Sequence, residues 1–61
     1  MKCSEILRLL LKDGWFVVSS KGSHLKMSHP EKPGMIIFPD HGSDEMGKGM
    51  EKRIRKEAGL R

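Results

Sequence analysis

Residues 15–28 read WFVVSSKGSHLKMS, two short runs separated by two residues, and their pairing decides how the rest of the chain can be arranged. WFVVSS is β-branched and aromatic, too short for a helix, and stops at Lys21-Gly22, which predicts a strand. The two-residue gap predicts a tight hairpin in which Gly22 takes the positive φ that such turns need. From Ser23 to Ser28 the side chains alternate, Leu25 and Met27 falling on one face and His24, Lys26 and Ser28 on the other. One face belongs to a core and the other to solvent.

Upstream of the hairpin, Ile6, Leu7, Leu10 and Leu11 recur at helical spacing, with Ser4 placed to cap the helix, Glu5 near its positive end and Gly14 to stop it. Downstream, HPEKPG (residues 29–34) is a loop, and MIIFP (35–39) is a third strand. A long connection, PDHGSDEMGKG (39–49), carries three acids, Asp40, Asp44 and Glu45. In MEKRIRKEAGL (50–60), Met50, Ile54 and Ala58 define one helical face, with Lys52, Arg55 and Lys56 expected on the opposite side. Gly59 and Leu60 suit a glycine C-cap with an apolar contact beyond it. The order α-β-β-β-α implies an α+β fold: a three-stranded antiparallel sheet with two helices on its single apolar face. No internal repeat interrupts it.

At 61 residues the chain has room for one small domain, expected to span 1–61. The 12 Lys and Arg outnumber the 8 Asp and Glu, for a net charge of +4. Residues 47–61 alone hold six basic side chains (Lys48, Lys52, Arg53, Arg55, Lys56, Arg61) against two acids, while the rest of the chain is balanced. A basic end fits nucleic acid as a partner and equally fits a solvated helix face. The three aromatic residues, Trp15, Phe16 and Phe38, are assigned to packing, which argues against single-strand binding built on stacked aromatic platforms. Cys3 has no partner for an internal disulfide, no run is long and apolar enough to span a bilayer, and the charged N-terminal segment does not resemble a signal peptide; a cytoplasmic protein is expected.

His24, His29 and His41 lie on a strand, in a loop and in the long connection, without metal-ligand spacing. No metal or other cofactor is expected. His29 is assigned to a strand end and His41 to its loop. An exposed imidazole at His24 can carry a proton near neutral pH, with Lys26 on the same strand face to hold a phosphate; an ordinary surface histidine is the other reading.

Several short motifs occur in order: GW at the end of the first helix, KGSH after the first strand, HPEKPG before the third, P-x-H after it, and GKG…I…K-x-AGL at the C-terminal end. Together they resemble the HicA family of toxin ribonucleases, the mRNA interferases, over essentially the full chain. The resemblance implies a fold like that of a double-stranded RNA-binding domain, cleavage of mRNA that stops translation, and a HicB-type antitoxin that covers the active site. It also implies that His24, the histidine of the Gly-Ser-His motif, is catalytic. Lys21, Gly22, Ser23 and Lys26 around it, with Lys48, Lys52, Arg55 and Lys56 of the basic end, are then the candidate RNA contacts. Lys26 or Lys21 would neutralise charge on the reacting phosphate. Leu25 and Met27 stand where the family often has a histidine or an aromatic residue, so no second imidazole is available beside His24. The loop from Asp40 to Gly49 is more acidic than an RNA contact would favour. A non-catalytic double-stranded RNA-binding module is the alternative from another functional class.

Overall fold

The computed structural model describes residues 1–60; Arg61, part of the basic end, lies outside them. The elements follow the expected order: α1 (Cys3–Asp13), β1 (Phe16–Lys21), β2 (His24–Ser28), β3 (Ile36–Pro39) and α2 (Lys48–Ala58). The strands form an antiparallel meander, β1-β2-β3. Ile6 and Leu10 of α1, Ile54 and Ala58 of α2, and Met27, Ile36 and Phe38 of the sheet form one buried cluster with Cys3, Trp15 and Met46. Burying such side chains contributes about 1.5–3 kcal/mol for each large one, which for a chain this short makes the cluster the main stabilising term.

Several local expectations are corrected. Ser4 does not cap α1: the helix begins at Cys3, two residues earlier than a Ser4 cap would place it, with Lys2 in the cap position and its N–H donated to Glu5 Oε1 at 2.7 Å. The free N–H groups of Cys3 and Ser4 instead donate to the carbonyls of Asp44 and Gly42, each at 2.9 Å. This gives the acidic loop a structural role, because Asp44 and Glu45 lie at the positive end of the α1 dipole and Glu45 pairs with the Met1 ammonium. Leu11 is half exposed and outside the core, whose narrow contact stripe on α1 is filled by Ile6 and Leu10. Trp15 precedes β1 rather than belonging to it; it is buried, with its indole N–H donating to the Ala58 carbonyl at 3.3 Å. Phe16 is 46 % exposed and does not serve the core. Met50, one turn before Ile54, is also exposed, because α2 turns its Ile54–Ala58 stripe inward and leaves Met50 at the sheet edge.

β1 contains a bulge that the sequence pattern does not announce. Val17 pairs with Met27 and Ser19 with Lys26, leaving Val18 as the extra residue. The extra residue resets the alternation, so Ser19 and Lys21 share the open face with Lys26 and His24. Without it Lys21 would point toward the core side.

Candidate active site

His24 is the first residue of β2, directly opposite Lys21 on β1 and Pro39 on β3. The turn between Lys21 and His24 has two residues, and only Gly22 has positive φ, 60°, the pattern of a type II′ hairpin with glycine at its first central position. A Cβ at Gly22 would meet nothing within 4 Å, so this glycine is required by backbone conformation rather than by crowding. The Ser23 carbonyl accepts the Asp40 N–H at 2.6 Å, which ties the turn to the end of β3. His24 is exposed, yet its backbone is held by strands on both sides.

Beside it on the open face stand Lys21, at cross-strand distance of about 5 Å between Cβ atoms, and Lys26, two residues along β2. Leu25 and Met27 point the other way, Met27 fully buried. The structure therefore brings together His24, Lys21 and Lys26, with the Gly22–Ser23 turn at their edge. Such a set can accept a proton and hold a phosphate beside the acceptor.

The α2 residues separate into distinct groups. Lys48, Lys52 and Lys56 are exposed. Arg55 is not with them: only 28 % of its side chain is exposed, and Nε donates to Glu51 Oε2 at 3.2 Å while the guanidinium also touches the Met1 thioether. Lying one residue after the buried Ile54, Arg55 falls on the flank facing the N-terminus. The ammonium of Met1, followed by Arg55, holds the Glu51 carboxyl below its usual range.

Two residues that sequence reasoning did not connect to His24 lie next to it. Arg53 and Met50, on the other flank of α2, line a groove of about 350 Å³ that also includes His24. The only available signal was their spacing of three, which puts them on one helical flank without saying what that flank faces. Phe16 was also missed: its pairing with Ser28 puts it on the same sheet face as His24, at the far end of the strands.

His29 serves the fold. Nε2 donates to the Asp13 carbonyl at 2.8 Å, Nδ1 accepts the Glu31 N–H at 3.0 Å, and the ring packs edge-on against Trp15 with centroids 5.3 Å apart. Lys32 donates to Asp13 Oδ2 at 2.6 Å and to the Ala58 carbonyl at 2.9 Å. That ammonium holds the Asp13 carboxyl below the usual carboxylate range. Residues 29–32 thus join the C-terminal ends of both helices. His41 lies in its loop, where its carbonyl accepts the Asp44 N–H at 3.2 Å. Among the described residues no group of three or more His, Cys, Asp or Glu side chains is placed to hold a metal ion, and no helix is long and apolar enough to cross a membrane.

Fold and site together define a small α-β-β-β-α protein that presents one histidine between two lysines on an open sheet face. The family model described as HicA toxin of bacterial toxin-antitoxin matches residues 3–60. A curated protein of Pseudomonas fluorescens (strain Pf0-1), "Probable mRNA interferase HicA", is 46 % identical over 61 residues, covering all of this chain and 98 % of that protein. The chain belongs to the HicA toxin family.

Proposed function

We propose that this protein is the toxin of a bacterial toxin-antitoxin pair and acts as an endoribonuclease on mRNA, with His24 as the proton-transfer group. The observation that carries the reading is the placement of His24: an exposed imidazole on a rigid strand, flanked on the same face by Lys21 and Lys26, in a chain whose relative is called an mRNA interferase.

RNA carries its own nucleophile. His24 takes the proton of a 2′-hydroxyl, the 2′-oxygen attacks the adjacent phosphorus, and the bond from phosphorus to the 5′-oxygen breaks. The products are a 2′,3′-cyclic phosphate and a 5′-hydroxyl, the leaving oxygen taking its proton from the His24 imidazolium or from water. Lys21 and Lys26 stabilise the additional charge on the phosphorane oxygens. Backbone groups of Gly22 and Ser23 lie at the same edge, and Lys48, Lys52 and Lys56 extend the phosphate contacts along α2. Arg55, engaged with Glu51, is left out of that set. A HicB-type antitoxin is the partner expected to cover this face.

A single-turnover cleavage assay with His24→Ala tests the reading. RNA binding is expected to persist while cleavage falls by about 10²–10⁴, the usual contribution of a general base. An RNA with one 2′-deoxynucleotide at the cut is expected to resist the wild-type protein at that position. Undiminished cleavage by His24→Ala would remove His24 from the chemistry, and RNA binding without cleavage by the wild-type protein would leave a non-catalytic RNA-binding module in place of the enzyme.

A further inference from the structure

The groove beside His24 has an unusual lining for a site facing RNA. Met35, Ile37 and Pro39 form its β3 side, and Met50 stands across from them on α2. Met35, Ile37 and Met50 are 51 %, 57 % and 41 % exposed, an apolar surface that the protein's own fold leaves open. Polar groups stand at its border: His24 at one edge, and on α2 Arg53, which is 70 % exposed and loosely paired with Glu57 at 3.6 Å.

We propose that this groove is a base-binding subsite: a nucleobase flanking the phosphodiester at His24 leaves its stack and lies between the methionine of α2 and the edge of β3, with Arg53 contacting that nucleotide's phosphate. The inference rests on the ribonuclease reading above. Recognition of single-stranded RNA works by splaying bases out of their stack and packing their faces against side chains, and apolar side chains can serve where aromatic ones do not. A volume of about 350 Å³ is at the small end of the range of ligand pockets. The position argues for RNA over a protein side chain, because His24 itself lines the groove with Arg53, the acid in the lining, Glu57, is paired with Arg53, and Lys26 stands across the strands from Ile37 of the β3 wall. Met35, Met50, Ile37 and Pro39 offer no side-chain donor and no acceptor stronger than a thioether with which to distinguish bases, and methionine adapts to differently shaped partners. The subsite therefore selects an unpaired base rather than a particular one.

The test is single-turnover cleavage of a short single-stranded RNA, intact or with an abasic ribonucleotide on either side of the cut. Loss of one flanking base is expected to slow cleavage by about tenfold, within the range that stacking contributes, whereas an abasic position three nucleotides away leaves the rate unchanged. The double variant Met35→Ala/Met50→Ala, with both side chains exposed and outside the core, is expected to cut intact RNA about tenfold more slowly yet to cut the flank-abasic RNA as fast as the wild type does. Binding of RNA with 2-aminopurine at each position to the His24→Ala protein supplies a second readout, with a fluorescence change expected only at the flank. Cleavage indifferent to the flanking base, or additive losses from the abasic site and the double variant, would overturn the subsite and leave the groove to a protein partner. Absence of cleavage by the wild type would instead bring down the ribonuclease reading, and full cleavage by His24→Ala would bring down the placement of the cut at His24; either takes the subsite with it.

Discussion

His24 and His29 bracket the same strand, and their surroundings give them opposite roles. His24 opens onto solvent beside two lysines, whereas both ring nitrogens of His29 are used by backbone groups and its ring packs on Trp15. Gly14 lies at the centre of the second arrangement. Its φ is 113°, its N–H reaches the carbonyls of Leu10 and Leu11 to close α1, and a Cβ there would sit 2.7 Å from His29 Nε2. Gly14→Ala thus meets backbone strain and a ring that cannot retreat without breaking its hydrogen bonds. The expected cost is about 1–3 kcal/mol, which for a domain of this size lowers the melting temperature by roughly 4–8 °C per kcal/mol. A thermal melt that matches the wild type would show that His29 is not held as described. The motif GW therefore has a stability reason: the glycine admits the histidine, and the tryptophan supplies the surface on which it rests.

At the scale of the element, α2 presents different flanks to different neighbours. Glu51 and Arg55 face the N-terminus, Met50, Arg53 and Glu57 border the groove, and Lys52 and Lys56 remain exposed. Treating Lys52, Arg55 and Lys56 as one face overlooks that Arg55 immediately follows the buried Ile54 and sits beside the core stripe. Its long side chain covers apolar surface while its charge meets Glu51. The distinction is measurable through salt. Lys52→Ala and Lys56→Ala are each expected to reduce the slope of log affinity against log salt for single-stranded RNA by about 0.7, the share of a single neutralised phosphate. Arg55→Ala is expected to leave that slope unchanged and to lower the melting temperature. An equal reduction of slope in all three variants would place Arg55 on the RNA.

For the whole molecule, ion pairs at opposite ends of the helices tie distant parts of the chain together. Lys32 joins Asp13 of α1 to the carbonyl that ends α2, and the Met1 ammonium joins Glu45 to Glu51. Asp13 is held below the ordinary carboxylate range mainly by the hydrogen bond from Lys32, and Glu51 mainly by that from the Met1 ammonium. A carboxylate with a depressed folded-state pKa stabilises the protein above its unfolded-state value, and that contribution is lost as pH falls through the folded-state value. Melting temperature is therefore expected to hold from neutrality to about pH 5 and to fall below about pH 4. Lys32→Met should be less stable at neutral pH and show a shallower acid decline, since Asp13 would then titrate nearer its unfolded value. An acid decline as steep as that of the wild type would remove Lys32 from the account.

Local patterns in the sequence determine the five elements, a two-residue hairpin at Gly22 and the assignment of Leu25 and Met27 to the core, although the turn falls on Gly22–Ser23, one residue later than the Lys21-Gly22 gap expected. These depend on periodicity and turn chemistry acting over a few residues. The motif KGSH likewise marks His24 without any tertiary information. What only the tertiary structure decides depends on partners far away in the chain: the bulge at Val18 that returns Lys21 to the face of His24, the withdrawal of Arg55 toward Glu51, and the capping of α1 by the acidic loop. The groove joining Arg53 and Met50 to His24 belongs to the same group. Helical spacing sets the angle between side chains on α2, but the packing of Ile54 and Ala58 against the sheet sets the rotation of the whole helix. That rotation determines which cations reach solvent and which meet the histidine's groove.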